Sequence, residues 1–377
     1  MRGLSPRMTE AAGDITVKVE AGVLEDFVRD IFVGAGCSAA EGERVSGSLV
    51  SANLVGHDSH GVVRVPRYVQ SKLDGIVKGD QKVDMLVDTP VLAVVDGKYG
   101  FGQTVAPQAV EIGIAKCKAM GLSAVALRNA GHIGRVGDYA DMAAAQGLVS
   151  VHFVNVPGSV LVAPYGGVDR RISTAPFCVG VPRSDGDPII LDFATSVVAE
   201  GKVLVASQGG KKLPENALVG PDGSIGGDPH MLYGDYEAKG PRNYRAGKGA
   251  IRAFGDHKGS GLAIMCELLG GSLTGSGATE LRDVVTNGMF SFYIDPKVLD
   301  PSDFFSQDIT RYIGYLKSSK PVQAGGEILI PGEPEARNRA DRMKNGIDIS
   351  EDTWAAIVAT ARKVGVEPPH NLVGGRR

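Results

Sequence analysis

The stretch Gly56-His57-Asp58-Ser59-His60-Gly61 packs two histidines, a carboxylate and a hydroxyl between two glycines. Only seven histidines serve the whole chain, so two in one hexapeptide is a concentration of proton-transfer groups. An imidazole titrates near neutral pH, which suits it to give or take the proton when a carbonyl and an alcohol interconvert. The same residues also suit a polar turn in which Asp58 or Ser59 caps the helix that follows, and residue type alone leaves that reading open. Zinc fits less well, because the chain has no HExxH pattern and His57 with His60 would need further ligands. A serine hydrolase is disfavoured: no serine stands in a GxSxG elbow.

Three more clusters carry chemistry-bearing residues next to glycine. Asn129 to Tyr139 contains Gly131-His132-Ile133-Gly134-Arg135-Val136-Gly137, where a strand gives way to a helix. Backbone N–H groups at such a helix start suit an anionic ligand. The spacing is GxxGxxG, not the GxGxxG dinucleotide fingerprint, and the next strand ends VHFVNV without the carboxylate a Rossmann site wants about 20 residues on. Pro188 to Ser196 ends a buried strand on Asp192, followed by Thr195 and Ser196; the carboxylate suits a ligand hydroxyl and equally a helix cap. Gly255 to Gly261 repeats the glycine-bounded helix start, now with His257 and Lys258.

The elements that must hold these clusters follow from hydrophobic periodicity. From Val17 to about Gly56 the pattern is helical: Leu24, Phe27, Val28 and Ile31 keep helix spacing, Gly36 suits a stop, and a second helix fits Ala40 to Leu54. Pro66 suits the first turn of a third helix ending before Gly75. Short β-branched runs at 91–97, 122–129, 148–156, 188–193 and 290–296 read as strands, with helices over Pro107–Met120 and Arg135–Gln146. The stretch from Lys211 to Gly255 reads as a long surface excursion, and Gly259–Gly271 as one buried helix. Glu335 to Val364 returns to helices, and the first twelve residues read as frayed.

The bulk composition excludes several classes. Net charge is −3, with 40 basic and 43 acidic residues, and no basic run is interleaved with aromatics, so nucleic acid is not an expected partner. No apolar run reaches the roughly 18 residues that span a bilayer, and the N-terminus lacks the apolar core of a signal peptide. No membrane partner is expected, and the cytoplasm is the expected address. Four scattered cysteines without a CxxC pair read as buried thiols.

HDSHGVVRVPRYV (57–69), GHIGRVGDYA (131–140), VAPYGG (162–167), LDFATS (191–196), GDHKGSGLAIMCELLGG (255–271) and LIPGEPE (329–335) together resemble the type 2 malate/L-lactate dehydrogenase family. The likeness runs from about Val17 to the end and looks nearest to the hydroxycarboxylate dehydrogenase B branch. It implies an α/β (α+β), non-Rossmann nicotinamide-binding fold: a largely antiparallel central sheet flanked by helices, in a homodimer. The expected organisation is an N-terminal helical segment (13–80), a central cofactor-binding sheet domain (81–300) and a C-terminal helical segment (301–377) packing with the first. The implied reaction passes a hydride between NAD, or NADP, and a small 2-oxo/2-hydroxy acid. Reduction of a cyclic 2-imino acid and a non-catalytic ligand-binding role are the alternatives.

By that resemblance His60 is the proton donor beside the nicotinamide, and in some relatives His132 takes this role. Cofactor contacts map onto His60, Gly134, Arg135 and Val136, then Ile190, Leu191, Asp192, Phe193 and Ala194. Further contacts map onto His257, Asn287 and the turn Gly332, Glu333, Pro334 and Glu335. No metal is implied. Two departures bear on substrate and cofactor preference: the family's TNP triplet reads Thr174-Ala175-Pro176, and the stretch from about Tyr233 to Ala250, with Arg242, Arg245 and Lys248, is longer than in many relatives.

Overall fold

The computed structural model describes residues 16–207, 212–237, 242–282 and 284–369. The expected frayed start therefore lies outside the described residues, as does Lys211. The first element is a strand, β1 (Thr16–Val19), where the sequence reading had a helix begin at Val17. Its alternating Thr-Val-Lys-Val suits a pleat, and it pairs antiparallel with a strand near the other end of the chain. Helix α1 (Ala21–Gly34) buries Leu24, Phe27, Val28 and Ile31 along one side. Ser38 caps α2 (Ala39–Leu54) by accepting from Glu41 N at 3.1 Å. Two short 3₁₀ turns, Asp58–His60 and Val62–Arg64, lead into α3 (Val65–Leu73) with Pro66 in its first turn.

The middle of the chain contributes β2 (Asp84–Asp88), β3 (Leu92–Asp96), α4 (Gly102–Met120), β4 (Leu122–Ala130), α5 (Gly137–Ala144), β5 (Val149–Asn155), β6 (Val162–Ala163), β7 (Pro176–Val181) and β8 (Ile189–Ala194). Helix α4 starts five residues before Pro107, which sits inside it. There follow α6 (Glu200–Ser207), β9 (Leu218–Val219), β10 (Ile225–Gly226), α7 (His230–Tyr233), β11 (Ala250–Arg252), α8 (His257–Cys266) and β12 (Asn287–Ile294). The chain closes with α9 (Pro296–Leu299), α10 (Phe304–Lys317), α11 (Glu333–Asn345), β13 (Ile347–Ser350) and α12 (Glu351–Lys363).

Seven strands form the main sheet in the order β2-β3-β4-β12-β5-β7-β8. Only β3 and β4 run parallel; every other neighbouring pair is antiparallel. Strand alternation gives the sheet two apolar faces. Val125, Leu127, Val154 and Cys178 belong to a core shared with α4 and α5. Phe153 and Phe177 point the other way, to a core containing Ala263 and Cys266 of α8. A third core joins β1, α1, α2 and α3 with Ile347 and Ile349 of β13 and Ile357 and Ala361 of α12.

Two sequence expectations are corrected here. Residues 212–255 are not a mere surface excursion: β10, β9, β11 and β6 make a second, four-stranded sheet. Leu218, Leu232, Tyr233 and Ile251 bury fully beneath it. Glycine and proline density hid these two- and three-residue strands. Arg170 organises the same region, donating from its guanidinium to the carbonyls of Leu232 (2.8 Å), Gly247 (2.7 Å), Gly249 (2.6 Å) and Tyr244. The expected single helix over 259–271 is α8 followed by a π-helical turn, Glu267–Ser272. Buried Glu267 lies at that junction, its carboxylate fixed by accepting from Ser173 N, Ser173 Oγ, Thr279 N and Asn155 Nδ2. All four cysteines are buried and free. No helix among the described residues is long and apolar enough to cross a membrane.

Candidate active site

The 3₁₀ turn carrying His60 is tied down at both ends. Asn53 Nδ2 donates to Asp58 Oδ1 at 2.6 Å, and Asn53 Oδ1 accepts from Val62 N at 2.8 Å. Arg342, reaching across from α11, holds the Asp58 carboxylate at 2.6 Å. Within the turn, Ser59 Oγ lies 3.2 Å from His60 Nδ1, and Arg64 Nε donates to the Ser59 carbonyl at 2.6 Å.

His132 arrives from the loop between β4 and α5. Asn287, at the start of β12, accepts from Ile133 N at 3.0 Å and donates to the Asn155 carbonyl at 2.7 Å, so the loop is pinned to the sheet. Gly102 lets α4 begin directly beneath the loop: a Cβ there would stand 2.4 Å from the His132 carbonyl oxygen and from Ile133 Cα. Gly134 takes φ +75°, a conformation L side chains rarely adopt, and turns the chain toward α5.

The two histidine rings lie nearly parallel, 6° apart in plane with centroids 5.7 Å apart. Tyr68 hydrogen-bonds His132 Nδ1 through its hydroxyl, and Gln103 Nε2 contacts both that hydroxyl (3.4 Å) and the His132 carbonyl (3.2 Å). Neither histidine has a partner for Nε2 among the described residues, which leaves that nitrogen available to a ligand. Burial pushes the His60 imidazole down to about 3, aided by the positive charges of Arg64, His57 and Arg135. Burial also holds His132 well below its ordinary range, with Arg64, His60 and Arg67 adding to the effect. Both rings are therefore neutral at physiological pH, the state that accepts a proton. An anion bound beside Arg64 would offset the positive field and move both back toward protonation.

One cavity of about 950 Å³ takes in both histidines together with Gly134, Val136, Asp192, Phe193, Ala194 and Glu335. Asp192 accepts from Gly137 N at 2.7 Å, and His57 Nε2 lies 3.2 Å from Glu335 Oε1. Burial raises the Asp192 carboxyl, while the hydrogen bond between Glu335 and His57 holds the Glu335 carboxyl below its ordinary value. The remaining candidates stand behind or beside this wall. Arg135 is buried against Asp138 (2.7 Å) and Asp141 (3.1 Å), stiffening the start of α5. Ile190 is buried in β8 and Leu191 faces outward. Gly332 packs on the backbone of Pro188 and Ile190, and Glu333 pairs with Lys317 at 2.6 Å, so the turn through Pro334 abuts the start of β8. Asn287 acts on the loop from below. His257 is exposed and meets Tyr165 edge-on at 5.9 Å, outside the cavity wall. Among the described residues no three His, Cys, Asp or Glu side chains gather as a metal site.

Sequence reasoning gave no role to Arg64 and Tyr68, yet both line the cavity. Their signal was present: they follow His60 at successive four-residue steps. Thr174 and Pro176 also line it, flanking Ala175, whose φ of +32° falls where asparagine is more at ease than alanine. Of the longer 233–250 segment, Tyr244 reaches the cavity, and residues 238–241 lie outside the described residues.

The chain matches the family model described as malate/L-lactate dehydrogenase over residues 19–358. It belongs to that family. Membership makes it a 2-hydroxy acid oxidoreductase. Hydroxycarboxylate dehydrogenase B of Escherichia coli K12 is 36% identical over 355 residues, covering 93% of this chain and 95% of that protein. A solved structure of a putative malate/lactate dehydrogenase from E. coli superposes with a TM-score of 0.85 at 36% identity, covering 94% of this chain and 96% of the other. Malate dehydrogenase from Pyrococcus horikoshii OT3 gives 0.82 at 28% identity, covering 96% and 100%.

Proposed function

We propose that the chain uses a nicotinamide cofactor, NAD with NADP as the alternative, to interconvert a small 2-oxo acid and its 2-hydroxy acid, with His60 as the acid/base group. The observation that carries this reading is the stacked His60–His132 pair, which shares one cavity with Arg64, Gly134, Val136 and Asp192. At about 950 Å³ the cavity is far larger than a three- or four-carbon acid needs and lies at the upper end of the roughly 300–1,000 Å³ typical of ligand pockets. Its wall at Gly134 has no side chain to obstruct a ligand, and Asp192, His57 and Glu335 supply acceptors and a donor for sugar hydroxyls. These residues fit the cofactor.

Gly134, Val136, Asp192, Phe193, Ala194 and Glu335, which line the cavity, would hold it, with Arg135, Ile190, Leu191, Gly332, Glu333, Pro334, His257 and Asn287 as further proposed contributors around that wall. The bound cofactor supplies or takes the hydride at C2 of the acid. Arg64 receives the C1 carboxylate, a charge-assisted contact that also orients C2. His60 Nε2 takes the hydroxyl proton during oxidation and returns one to the oxygen during reduction, while Ser59 Oγ fixes the ring. Tyr68 and Gln103 hold His132 parallel to it.

We read the fold as non-Rossmann, supported by a main sheet with one parallel pair and by the GxxGxxG spacing. The three-part division at 13–80, 81–300 and 301–377 is likewise our reading, as is a cytoplasmic address. A homodimer is supported by the exposed apolar side chains Ile264, Met265, Leu268 and Leu273 on and just after α8. Nicotinamide absorbance over a panel of 2-oxo and cyclic 2-imino acids tests the reaction; turnover of the imino acids alone would transfer the site to C=N reduction. Absence of NADH and NADPH binding by calorimetry would refute the cofactor assignment. Light scattering at the 39.3 kDa monomer mass would refute the dimer.

A further inference from the structure

We propose that the Tyr68 hydroxyl locks His132 as a neutral hydrogen-bond donor, so that His132 polarises the C2 oxygen of the acid while His60 alone moves the proton. The proposal rests on the reading above and makes Tyr68 a positioning residue that acts through His132.

The direction of each hydrogen bond follows from what each partner can do. Gln103 is buried, and its Nε2 lies 3.2 Å from the His132 carbonyl and 3.4 Å from the Tyr68 hydroxyl. A carbonyl only accepts, so the nitrogen side of the amide must face it. The amide keeps this orientation although Gln103 Oε1 is left buried without a partner among the described residues. The Tyr68 oxygen therefore accepts from Gln103, and its own hydrogen needs another acceptor. Among the described residues His132 Nδ1 is the one other group bonded to that hydroxyl. Burial raises the phenol and holds the imidazole well below its ordinary range, so the proton between them stays on oxygen and is donated to Nδ1. With Nδ1 accepting, the hydrogen of the neutral ring is on Nε2, the nitrogen left for a ligand.

His60 has no such lock. Its Nδ1 lies 3.2 Å from Ser59 Oγ, a hydroxyl that turns to donate or to accept. His60 Nε2 can therefore be bare or protonated without losing the Nδ1 contact. The two rings stack within 6° with centroids 5.7 Å apart, so one small acid reaches both and meets two different groups. In reduction the hydride brings two electrons to C2, the C=O π pair withdraws onto oxygen, and that oxygen takes its proton from His60. His132 Nε2–H meets the growing negative charge and keeps its proton, because giving it up would leave an imidazolate. A fixed donor aimed at a developing oxyanion commonly supplies about 10²- to 10³-fold in kcat.

The test reads the tautomer directly, with kinetics beside it. Nitrogen NMR of the full chain, isotope-labelled in its histidine rings, identifies the His132 signals by their loss in His132→Gln. The expected wild-type spectrum shows a protonated Nε2 and a bare Nδ1 at neutral pH. Tyr68→Phe should spread His132 over both tautomers and lower kcat by about two- to tenfold, the worth of one neutral hydrogen bond, with a smaller change in NADH affinity by calorimetry. His132→Gln restores a neutral donor and should recover about tenfold or more of the kcat lost in His132→Ala, whereas His60→Gln should recover nothing over His60→Ala. A wild-type His132 with its hydrogen on Nδ1, or a His132→Gln no faster than His132→Ala, overturns the proposal. So does a Tyr68→Phe protein with both the wild-type tautomer and the wild-type kcat. If no 2-oxo acid is turned over but the His132 hydrogen sits on Nε2 and shifts in Tyr68→Phe, the lock stands and the proposed reaction fails.

Discussion

Residues 131–137 and 255–261 look like variants of one device: a histidine among glycines at the start of a helix. Their surroundings differ completely. The first is sandwiched between α4, the sheet and the His60 turn, and its histidine faces a cavity. The second stands at the exposed start of α8, beside the small sheet, with His257 against Tyr165. Gly102 and Asn287 make the difference, because one admits the loop to the interior and the other fastens it there. A glycine-rich helix start supplies a possible anion site, and the elements packed upon it decide whether it is used.

The largest expected effect tests the buried side of this contrast. His60→Ala should lower turnover by about 10²- to 10⁴-fold, the usual contribution of a positioned acid/base group, with a far smaller change in NADH affinity. His132→Ala is the companion measurement: abolition of turnover there, with near wild-type rates in His60→Ala, exchanges the two roles. Less than about tenfold loss in both variants removes histidine acid/base catalysis from the mechanism.

A second test uses pH. His60 falls to about 3 in the folded protein from an ordinary 6.5, so below pH 6.5 the unfolded chain binds a proton that the native site resists. Stability is therefore full above pH 6.5 and is lost progressively as pH drops toward 3. One such group contributes a slope of about 1.4 kcal/mol per pH unit in that window. Urea melts of His60→Gln should show the acid limb shallower by about that amount; an unchanged limb would mean that the ring is not held neutral.

Gly102→Ala probes the entry of the loop. Its Cβ would meet the His132 backbone, so overpacking should cost about 1–3 kcal/mol in denaturant melts, and turnover should fall with it. Wild-type values for both would show that the loop does not depend on the missing side chain. The smallest effect belongs to the exposed counterpart. His257→Ala should alter stability by no more than about 0.5 kcal/mol, as surface substitutions usually do, with any kinetic loss confined to the KM of the cofactor. A fall in kcat comparable to that of His60→Ala would erase the distinction between the two helix starts.

Much of this was legible in the primary structure, for identifiable reasons. Helix α1 announced itself because Leu24, Phe27, Val28 and Ile31 must all reach one core, and the central strands because their β-branched runs are buried. His60, His132 and Asp192 were readable as candidates because few polar residues sit beside glycines at strand and helix ends. The second sheet was not legible, since two-residue strands such as β9 and β10 carry no periodicity and depend on distant pairing. Strand β1 was missed because its partner lies more than 300 residues away. Arg64 and Tyr68 were seen only as motif letters, because their function depends on a loop that arrives from β4.

Arg170 touches four carbonyls spread between Leu232 and Gly249, so one guanidinium gathers the two ends of that long segment. Other ties fasten the described part of the segment as well: the Tyr233 hydroxyl donates to Glu200, Arg242 to Ser207, and Arg245 to the Arg282 carbonyl. The segment thus behaves as a cassette clipped to the scaffold at several points, with Arg170 bridging its two ends. Its Tyr244 reaches the cavity, so lengthening or exchanging the cassette offers a route to new acid preferences that leaves the histidine turn and the main sheet untouched.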